Sequence, residues 1–384
     1  MNIDLFLTDE HRMLREMVRR FAEEDVIPRA AQIDRDDEFP RDLYEKMGDL
    51  GLLGVMLPEE AGGGGMDTIS QVIVQEELAR GSAVMANAQT GPIEVGFTLW
   101  NHAPKDLIER YLPGVLSGRV IPASALTEPG AGSDAASIQT TAVRDGDHFR
   151  INGSKTFATS GTLADFVIVY AKTDPAAGSR GISAILVDKS TPGLTVGAVE
   201  ELHGVRGLGT SGFSLQDCRV PTSCLIGEEG RGLRMSFNTF DLGRISTAAM
   251  AIGIAQAAFE HALAYAHQRI QFGKPIFEFQ AVQFKLADMA TELDAARLLT
   301  LHAAQLRDKQ LPFVREASEA KMFASDMGAR VTDSAMMILG GYGYTKQYPV
   351  ERFCRDARLP QIFEGTNNIQ HLIIARELSR SLTR

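Results

Sequence analysis

The sequence predicts a mainly α-helical protein with a central β-domain, because helix-period and strand-period patterns occupy separate parts of the chain. Apolar residues recur at helical spacing through residues 1–120, short β-prone runs fill residues 121–231, and long Ala-rich stretches with apolar stripes follow in residues 232–384. The chain has 384 residues, which is too many for one ordinary core. We therefore expect an N-terminal helical domain, a middle β-barrel-like domain and a C-terminal four-helix bundle with these bounds.

The N-terminal region begins with an amphipathic helix in "LTDEHRMLREMVRRFAEEDV". Thr8 stands where an N-cap is expected, and Pro28 is expected beyond the end of the helix. Further helical stretches are predicted near residues 43–50 and 69–80, separated by the glycine-rich "PEEAGGGG" at residues 58–65.

The middle region has hairpin signals, and the C-terminal region has long helices. Asp145-Gly146 and Asn152-Gly153 stand between short β-prone runs, as two-residue hairpin turns do. Three long helical stretches follow, and a fourth helix is predicted after Thr366. Four such helices can close a bundle.

Composition excludes several classes of function. With 39 basic and 49 acidic residues the formal net charge is −10 and no basic block occurs, so nucleic acid is not expected as a partner. Cys218, Cys224 and Cys354 form no CxxC pair, which favours buried thiols in a reducing compartment. No signal peptide and no run of about 20 apolar residues is evident, so we expect no membrane partner and a cytoplasmic location. GxGxxG, Walker and HExxH motifs are absent, and no metal site is predicted.

Two glycine-containing segments in the middle region are candidates for ligand contact. In "ALTEPGAGSD" (residues 125–134) the backbone N–H groups and the hydroxyls of Thr127 and Ser133 can point at one polar or anionic ligand. In "NGSKTFATSG" (residues 152–161) a strand would place Phe157 and Thr159 on one face, which suits a flat heterocycle. An ordinary turn and a plain core strand are the alternatives.

The C-terminal region contains three further candidates. Arg269 follows a long helix, where it can clamp a phosphate or simply complement the helix dipole. Asp241 and Arg244 are three residues apart and share one helix face, either at a site or as a surface ion pair. Gly340-Gly341 is either a ligand-contacting turn or a helix C-cap.

Glu364 lies in "IFEGTNN", just before the final helix, which Thr366 or Asn367 would cap. An acid beside an apolar neighbour is partly desolvated, which raises its pKa toward the range that is useful for proton abstraction. The alternative is an acid that complements the helix dipole.

Taken in order, "PEEAGGGG", "TEPGAGSD", "NGSKTFATSG", "QRIQFGKPI", "ILGGYGY" and "IFEGTNNIQ" resemble the acyl-CoA dehydrogenase family over essentially the whole chain. The resemblance implies FAD as cofactor and the same helical, β and four-helix-bundle order. It also implies that Phe157 packs on the isoalloxazine where many members have Trp, that Thr159 bonds near N5, and that Met337 replaces a frequent Gln. The flavin-contacting positions that it implies are Thr127, Gly132, Ser133, Phe157, Thr159, Arg269, Phe272, Gln280, Gly340, Gly341, Thr366 and Asn368.

The resemblance also implies the chemistry, which is α,β-dehydrogenation of an acyl-CoA to the trans-2-enoyl-CoA. Glu364 matches the family's base, and Gly243 occupies the position from which a minority of members supply that acid. Glu364 then removes the α-proton while hydride passes from Cβ to flavin N5. The substrate-contacting positions implied are Ser133, Asp241, Arg244 and Gly365, and the segment at residues 81–97 is expected to line the floor of the acyl pocket.

The family further implies an electron-transfer flavoprotein as acceptor and a homo-oligomer, usually a tetramer, because Arg269 matches a residue that holds the FAD diphosphate of a neighbouring subunit. An enoyl-CoA reductase and an acyl-CoA oxidase on the same scaffold are alternatives. A DNA-associated stress-response role is another, against which the charge of −10 argues.

Overall fold

The computed structural model describes residues 3–382 of the chain. Its N-terminal region is helical. Thr8 caps the first helix, since its Oγ1 accepts a hydrogen bond from the His11 N–H at 3.2 Å. The α-helices of this region are α1 (Asp9–Phe21), α2 (Ile27–Asp36), α3 (Arg41–Asp49), α4 (Thr68–Gly81), α5 (Ala83–His102) and α6 (Lys105–Leu116).

Pro28 lies beyond the end of α1, as predicted, but helical structure does not stop before it. The chain passes from α1 through a π-helical turn, Ala22–Val26, directly into α2, and Pro28 stands in the first turn of α2. Proline is tolerated there because the first N–H groups of a helix have no intrahelical acceptor.

The middle region forms one eight-stranded sheet in the order β6-β7-β3-β2-β4-β5-β8, with β1 pairing in parallel with β4. The strands are β1 (Pro122–Ala125), β2 (Thr141–Asp145), β3 (His148–Ala158), β4 (Phe166–Lys172), β5 (Ile182–Asp188), β6 (Leu194–Val199), β7 (Ser211–Pro221) and β8 (Leu225–Ile226).

Strand β4 joins two apolar cores, because successive side chains of a strand point to opposite faces. Phe166 and Tyr170 pack in a cluster that includes residues of α5, α6 and the first turn of the next helix. Val167 and Val169 pack in a cluster formed by the strands themselves. One face of the sheet therefore rests on helices, and the other encloses an apolar interior.

The C-terminal region contains the predicted four-helix bundle, which is confirmed. Its long helices are α7 (Gly232–Gln268), α8 (Gln280–Asp308), α9 (Val314–Leu339) and α11 (Asn367–Ser381), with a short ribbon of β9 (Ile270–Gln271) and β10 (Lys274–Pro275) after α7 and a short α10 (Val350–Asp356). Among the described residues, α7 is the one helix long and apolar enough to cross a membrane by length and composition, and 89% of its apolar window is buried inside the protein. That burial is what the central helix of a bundle requires.

The type of secondary structure changes at two places along the chain, first from helix to strand and then from strand to helix. Helix α6 ends at Leu116 before β1 begins at Pro122, and β8 ends at Ile226 before α7 begins at Gly232. The division of the chain into domains at residues 120 and 231 stays a prediction, since these bounds do not show which segments fold independently. All three cysteines are free; Cys218 is buried and the other two are partly exposed.

Candidate active site

Glu364 lies in a tight, strained turn that joins α10 to α11. Glu364 and Gly365 both have left-handed backbone conformations, with φ of 53° and 82°. A non-glycine residue in this region costs about 1 kcal/mol or more and persists only where neighbours hold it. The Gly365 carbonyl accepts hydrogen bonds from Lys321 Nζ at 2.7 Å and Gln370 Nε2 at 2.9 Å. Two buried side chains therefore hold the turn.

Further contacts tie the turn to α9. Lys321 Nζ also donates to Asn367 Oδ1 at 3.0 Å, and Asn367 Nδ2 donates to Asp326 Oδ1 at 2.7 Å. Thr366 is the N-cap of α11, since its Oγ1 accepts from the Ile369 N–H at 3.4 Å. Of the two residues proposed as the cap, Thr366 is the one used, while Asn367 anchors the helix to α9.

The Glu364 carboxyl does not cap a helix. Its Oε2 atom is buried and has no hydrogen-bond partner within residues 3–382. Desolvation raises the pKa of Glu364, and the positive charges of Arg244 and Lys321 oppose that rise. A buried carboxyl that makes no structural hydrogen bond through this oxygen is free to accept a proton from a ligand.

Gly243 of α7 has no side chain, which lets two carboxyl groups approach the helix backbone closely. A Cβ built on Gly243 would overlap Glu94 Oε1 and would lie 3.0 Å from Glu364 Oε2. The two carboxyls therefore converge on one point of α7, and Glu94 Oε1 is also buried without a partner.

Glu94 is a functional candidate that the sequence analysis missed. It lies on α5 within the segment predicted to line the floor of the pocket. Burial and the charge of Glu364 raise its pKa well above the ordinary range of a glutamic acid. The signal in the sequence was a single charged residue in "AVMANAQTGPIEVGFTLWNH", which is otherwise uncharged. A charged residue on a helix that is apolar on almost every side is expected to face the interior of the protein.

Replacing Gly243 with Ala is expected to lower kcat/KM about 10-fold or more while leaving flavin content unchanged. The added methyl group would overlap Glu94 Oε1 and crowd Glu364 Oε2, and overpacking of this kind costs about 1–3 kcal/mol. Gly328→Ala in α9 is a matched control, because a Cβ there meets Ala251 at an ordinary 3.4 Å. Equal kinetics for Gly243→Ala and the wild type would show that the close approach of the two carboxyls to Gly243 does not matter for turnover.

Asp241 and Arg244 form an ion pair on α7, on either side of Gly243 in the sequence. Their side chains are only 16% and 8% exposed, so the alternative of a surface ion pair is wrong. Burial raises the pKa of Asp241, and Arg244 opposes that rise. Arg244 acts electrostatically on Glu364 and so belongs to the same site.

The two glycine-containing segments of the middle region are held together by a buried ion pair. Lys155 Nζ donates to Glu128 Oε1 at 2.9 Å and to the Leu126 carbonyl at 3.0 Å. The Thr156 N–H also donates to the Thr127 carbonyl at 3.0 Å. Neither Glu128 nor Lys155 was singled out from the sequence, although each stands within a quoted motif.

The prediction that Phe157 and Thr159 share one strand face is wrong in its detail. Strand β3 ends at Ala158, and its pairing with β7 shifts register between Lys155 and Ala158. Phe157 takes a left-handed conformation with φ of 55°, and its side chain is 61% exposed. Thr159 follows in the turn and is partly exposed, whereas Ala158 is buried. An irregularity at the strand end, rather than regular alternation, presents the aromatic ring.

Arg269 lies at a cavity that is separate from the Glu364 site. Its guanidinium stands 5.7 Å from the centre of the Tyr342 ring, at a cavity of about 540 Å³ that Gly340 and Gly341 also line. Gly340 has φ of 60°, and neither glycine has a heavy atom within 4 Å of an added Cβ. The residues that line this cavity do not include the Glu364 cluster. The structure therefore joins Arg269 to Gly340 and Gly341 but not to the carboxyl site.

The other predicted positions lie at the surface of this chain. Gly132 and Ser133 are exposed, and Phe272 is 93% exposed beside Phe279. Gln280 is the first residue of α8, and Asn368 lies on the first turn of α11; both are exposed. Their roles stay predictions, as does the effect of Met337, which is 65% exposed on α9.

Comparison with known proteins decides the family. Models of the N-terminal, middle and C-terminal domains of acyl-CoA dehydrogenases match residues 8–119, 123–218 and 230–379. The chain belongs to the acyl-CoA dehydrogenase family. It is therefore an oxidoreductase of that family, as the motifs predicted.

Curated relatives match over nearly the whole chain. An acyl-CoA dehydrogenase of Bacillus subtilis is 45% identical, covering 97% of this chain and 99% of that protein. The human mitochondrial short-chain specific acyl-CoA dehydrogenase is 43% identical, covering 98% and 91%. The acryloyl-CoA reductase (NADH) of Anaerotignum propionicum is 41% identical, covering 98% and 96%.

Solved structures share the fold. The butyryl-CoA dehydrogenase of Megasphaera elsdenii has a TM-score of 0.94 and 38% identity, covering 97% of this chain and 98% of that one. A chain from work on the electron transferring flavoprotein of Acidaminococcus fermentans has a TM-score of 0.94 and 40% identity, with the same coverage of 97% and 98%.

FAD is the cofactor of this member of the acyl-CoA dehydrogenase family, and the residues present fit it. Phe157 offers an exposed aromatic face for a flat ring. Gly130 and Gly132 leave open space beside the exposed Ser133 in the loop that Glu128 anchors, which suits the close approach of a polar group. Arg269 supplies an exposed cation of the kind that binds a diphosphate.

Proposed function

We propose that this protein oxidises the Cα–Cβ bond of an acyl-CoA thioester to the trans-2-enoyl-CoA, with Glu364 as the base that takes the α-proton. The observation that carries this proposal is the buried Glu364 Oε2, which lies close to Gly243 and has no hydrogen-bond partner among the described residues. A desolvated carboxylate is a stronger base than one in water. When bound, FAD accepts the hydride that leaves Cβ.

The turn that carries Glu364 supports a second role for the same residue. Among the residues that the structure describes, none accepts a hydrogen bond from the Glu364 N–H. We infer that this N–H donates to the thioester carbonyl and stabilises the charge that develops there as the α-proton leaves. Lys321 and Gln370 hold the adjoining Gly365 carbonyl, so that base and donor keep a fixed orientation.

The pH dependence of kcat/KM is expected to show an acidic limb above the ordinary pKa of a glutamic acid. Glu364 must be ionised to accept a proton, and burial raises its pKa, so activity is lost as pH falls through that raised value. Glu94, Tyr170, Arg244 and Lys321 face the same site, and burial lowers the pKa of Lys321 to about 7. Initial rates from pH 5 to 9 measure the limb. A limb at the ordinary pKa would contradict a desolvated base.

An assay of acyl-CoA thioesters with ferrocenium as electron acceptor tests the proposal. We expect bleaching of the flavin absorbance and formation of the enoyl-CoA product with at least one thioester. The short-chain specific relative and the butyryl-CoA dehydrogenase favour starting with short acyl chains. If no thioester of any chain length reduces the flavin, the dehydrogenase proposal fails.

We propose an electron-transfer flavoprotein as the physiological acceptor, which the likeness to the chain from the Acidaminococcus fermentans study supports. The reverse reaction is a second candidate, because a reductase of acryloyl-CoA is 41% identical to this chain. One set of residues serves both directions, since the group that removes the α-proton also returns it. Oxidation of NADH coupled to reduction of a short enoyl-CoA would favour the reductase.

We propose that the protein is a homo-oligomer, most simply a tetramer. Phe272, Tyr344 and Ile270, near the Arg269 cavity, are 93%, 84% and 60% exposed. Exposed apolar side chains grouped around a ligand-binding cation are typical of a surface that another subunit covers. Light scattering on the FAD-loaded protein measures the number of subunits.

The cytoplasmic location also stays a prediction.

A further inference from the structure

Glu94 is unusual because its buried Oε1 pairs with no group in the part of the chain that the structure describes. Of 20 residues in α5, it is the only Asp, Glu, Lys or Arg. Its neighbours along the helix, Ile93 and Val95, are buried in apolar cores. Leaving a buried carboxyl oxygen without a partner costs about 1–3 kcal/mol, so such atoms are rare unless a ligand or water completes them.

The surroundings of Glu94 decide what kind of partner fits. Arg244 and Lys321 act on Glu364, whereas the charged group that acts on Glu94 is Glu364 itself. Burial and the charge of Glu364 therefore raise the pKa of Glu94 and favour its neutral form, whereas Arg244 and Lys321 favour the ionised form of Glu364. A neutral carboxylic acid both donates and accepts hydrogen bonds, which suits an uncharged polar partner. A third carboxyl at this point would add like charge to a buried pair.

The location of Glu94 ties that partner to the acyl chain. Glu94 Oε1 and Glu364 Oε2 lie on the same side of Gly243, and no side chain at Gly243 separates them. Because both oxygens lie close to one point, a substrate whose α-carbon meets Glu364 can bring its next carbons to Glu94. A plain alkyl chain there would exclude water from the Glu94 oxygen and give it no replacement.

We propose that Glu94 is a specificity-determining residue that hydrogen-bonds a hydroxyl group on the acyl chain beyond Cβ, so that the preferred substrates are short hydroxyacyl-CoA thioesters rather than plain alkanoyl-CoA. This inference rests on the proposed dehydrogenase function. A site built to hydrogen-bond a substrate hydroxyl rejects the analogue that lacks it, because the buried polar group is then left unpaired.

The test compares matched thioesters. 4-Hydroxybutyryl-CoA, 5-hydroxypentanoyl-CoA and 6-hydroxyhexanoyl-CoA are each assayed against the alkanoyl-CoA one carbon longer, in which a methyl group replaces the hydroxyl. For the wild type we expect kcat/KM to favour one hydroxyacyl-CoA by about 10-fold or more, the effect of one buried hydrogen bond. Glutaryl-CoA, whose chain ends in a carboxylate, is expected to be a poor substrate.

Glu94→Leu is expected to reverse the preference, with a lower kcat/KM for the hydroxyacyl-CoA and a higher one for its alkanoyl partner. Glu94→Gln is expected to retain part of the preference, since an amide also donates and accepts hydrogen bonds. Asn101→Leu is the matched control, because it adds the same side chain at an exposed position of α5. FAD content and melting temperature of each variant show whether it has folded.

The outcomes separate the two proposals. If alkanoyl-CoA and hydroxyacyl-CoA both reduce the flavin and Glu94→Leu changes both rates by the same factor, Glu94 acts only through the base, and the specificity proposal is overturned. A wild type that prefers the alkanoyl-CoA of every pair overturns it as well. If no thioester reduces the flavin, the proposed function itself fails and this inference fails with it.

Discussion

Glu364→Gln is expected to lower turnover by about 10³–10⁴-fold, because an amide cannot take the α-proton and a positioned general base contributes about that much. The substitution is nearly isosteric, and Oε2 makes no structural hydrogen bond that the amide would break. FAD content, melting temperature and binding of acyl-CoA should therefore stay close to those of the wild type. Stopped-flow measurement of flavin bleaching, with enzyme in excess of substrate, isolates the chemical step.

Glu94 gives this prediction a second variant to compare, which the sequence alone did not suggest. The family resemblance left Glu364 as the acid at the site, but the structure places a second buried carboxyl beside it. Near-normal turnover by Glu364→Gln together with an inactive Glu94→Gln would move the base to α5. The charges of Arg244 and Lys321 oppose the rise in the pKa of Glu364, whereas the charge of Glu364 adds to the rise in the pKa of Glu94. We therefore expect Glu364 to carry the base function.

Lys155→Met is expected to destabilise the protein by about 3–5 kcal/mol, since removing one partner of a buried ion pair leaves the other charge uncompensated. The Lys155 and Glu128 side chains are 0% and 6% exposed. Burial lowers the pKa of Lys155 to about 8, and the hydrogen bond and charge of Glu128 oppose that fall. Glu128 also accepts hydrogen bonds from the N–H groups of Gln139 and Thr140. Removing the Lys155 charge is therefore expected to weaken these hydrogen bonds as well.

The effect should reach the cofactor as well as the fold, because this ion pair fixes the loop that Ser133 and Gly132 occupy. We expect a lower melting temperature and incomplete loading with FAD. Lys105→Met is the control: its pair with Glu109 spans 3.4 Å between side chains that are 84% and 64% exposed, and such pairs are worth about 1 kcal/mol or less. Equal melting temperatures for the two variants would show that the buried pair does not hold this loop.

The elements themselves could be predicted because their signals are local. Thr8 and Thr366 carry the side-chain oxygens that cap helices, and the long apolar stripes of the C-terminal region specify helices wherever they pack. The continuation of helical structure past Pro28 has a local cause too. Proline is compatible both with the end of one helix and with the first turn of the next.

The order of motifs determined the family and its cofactor, and it singled out Glu364. Tertiary structure alone decided the environment of that acid. Glu94 and Glu364 are 270 residues apart in the chain, and they meet only because α5 and the turn before α11 both pack against α7 at a glycine. Likewise, Glu128 and Lys155 became a buried pair only through the pairing of strands around them. A pKa depends on burial and on neighbouring charges, which packing sets across distant segments. The sequence therefore singled out the candidate base, while the fold determined what stands beside it.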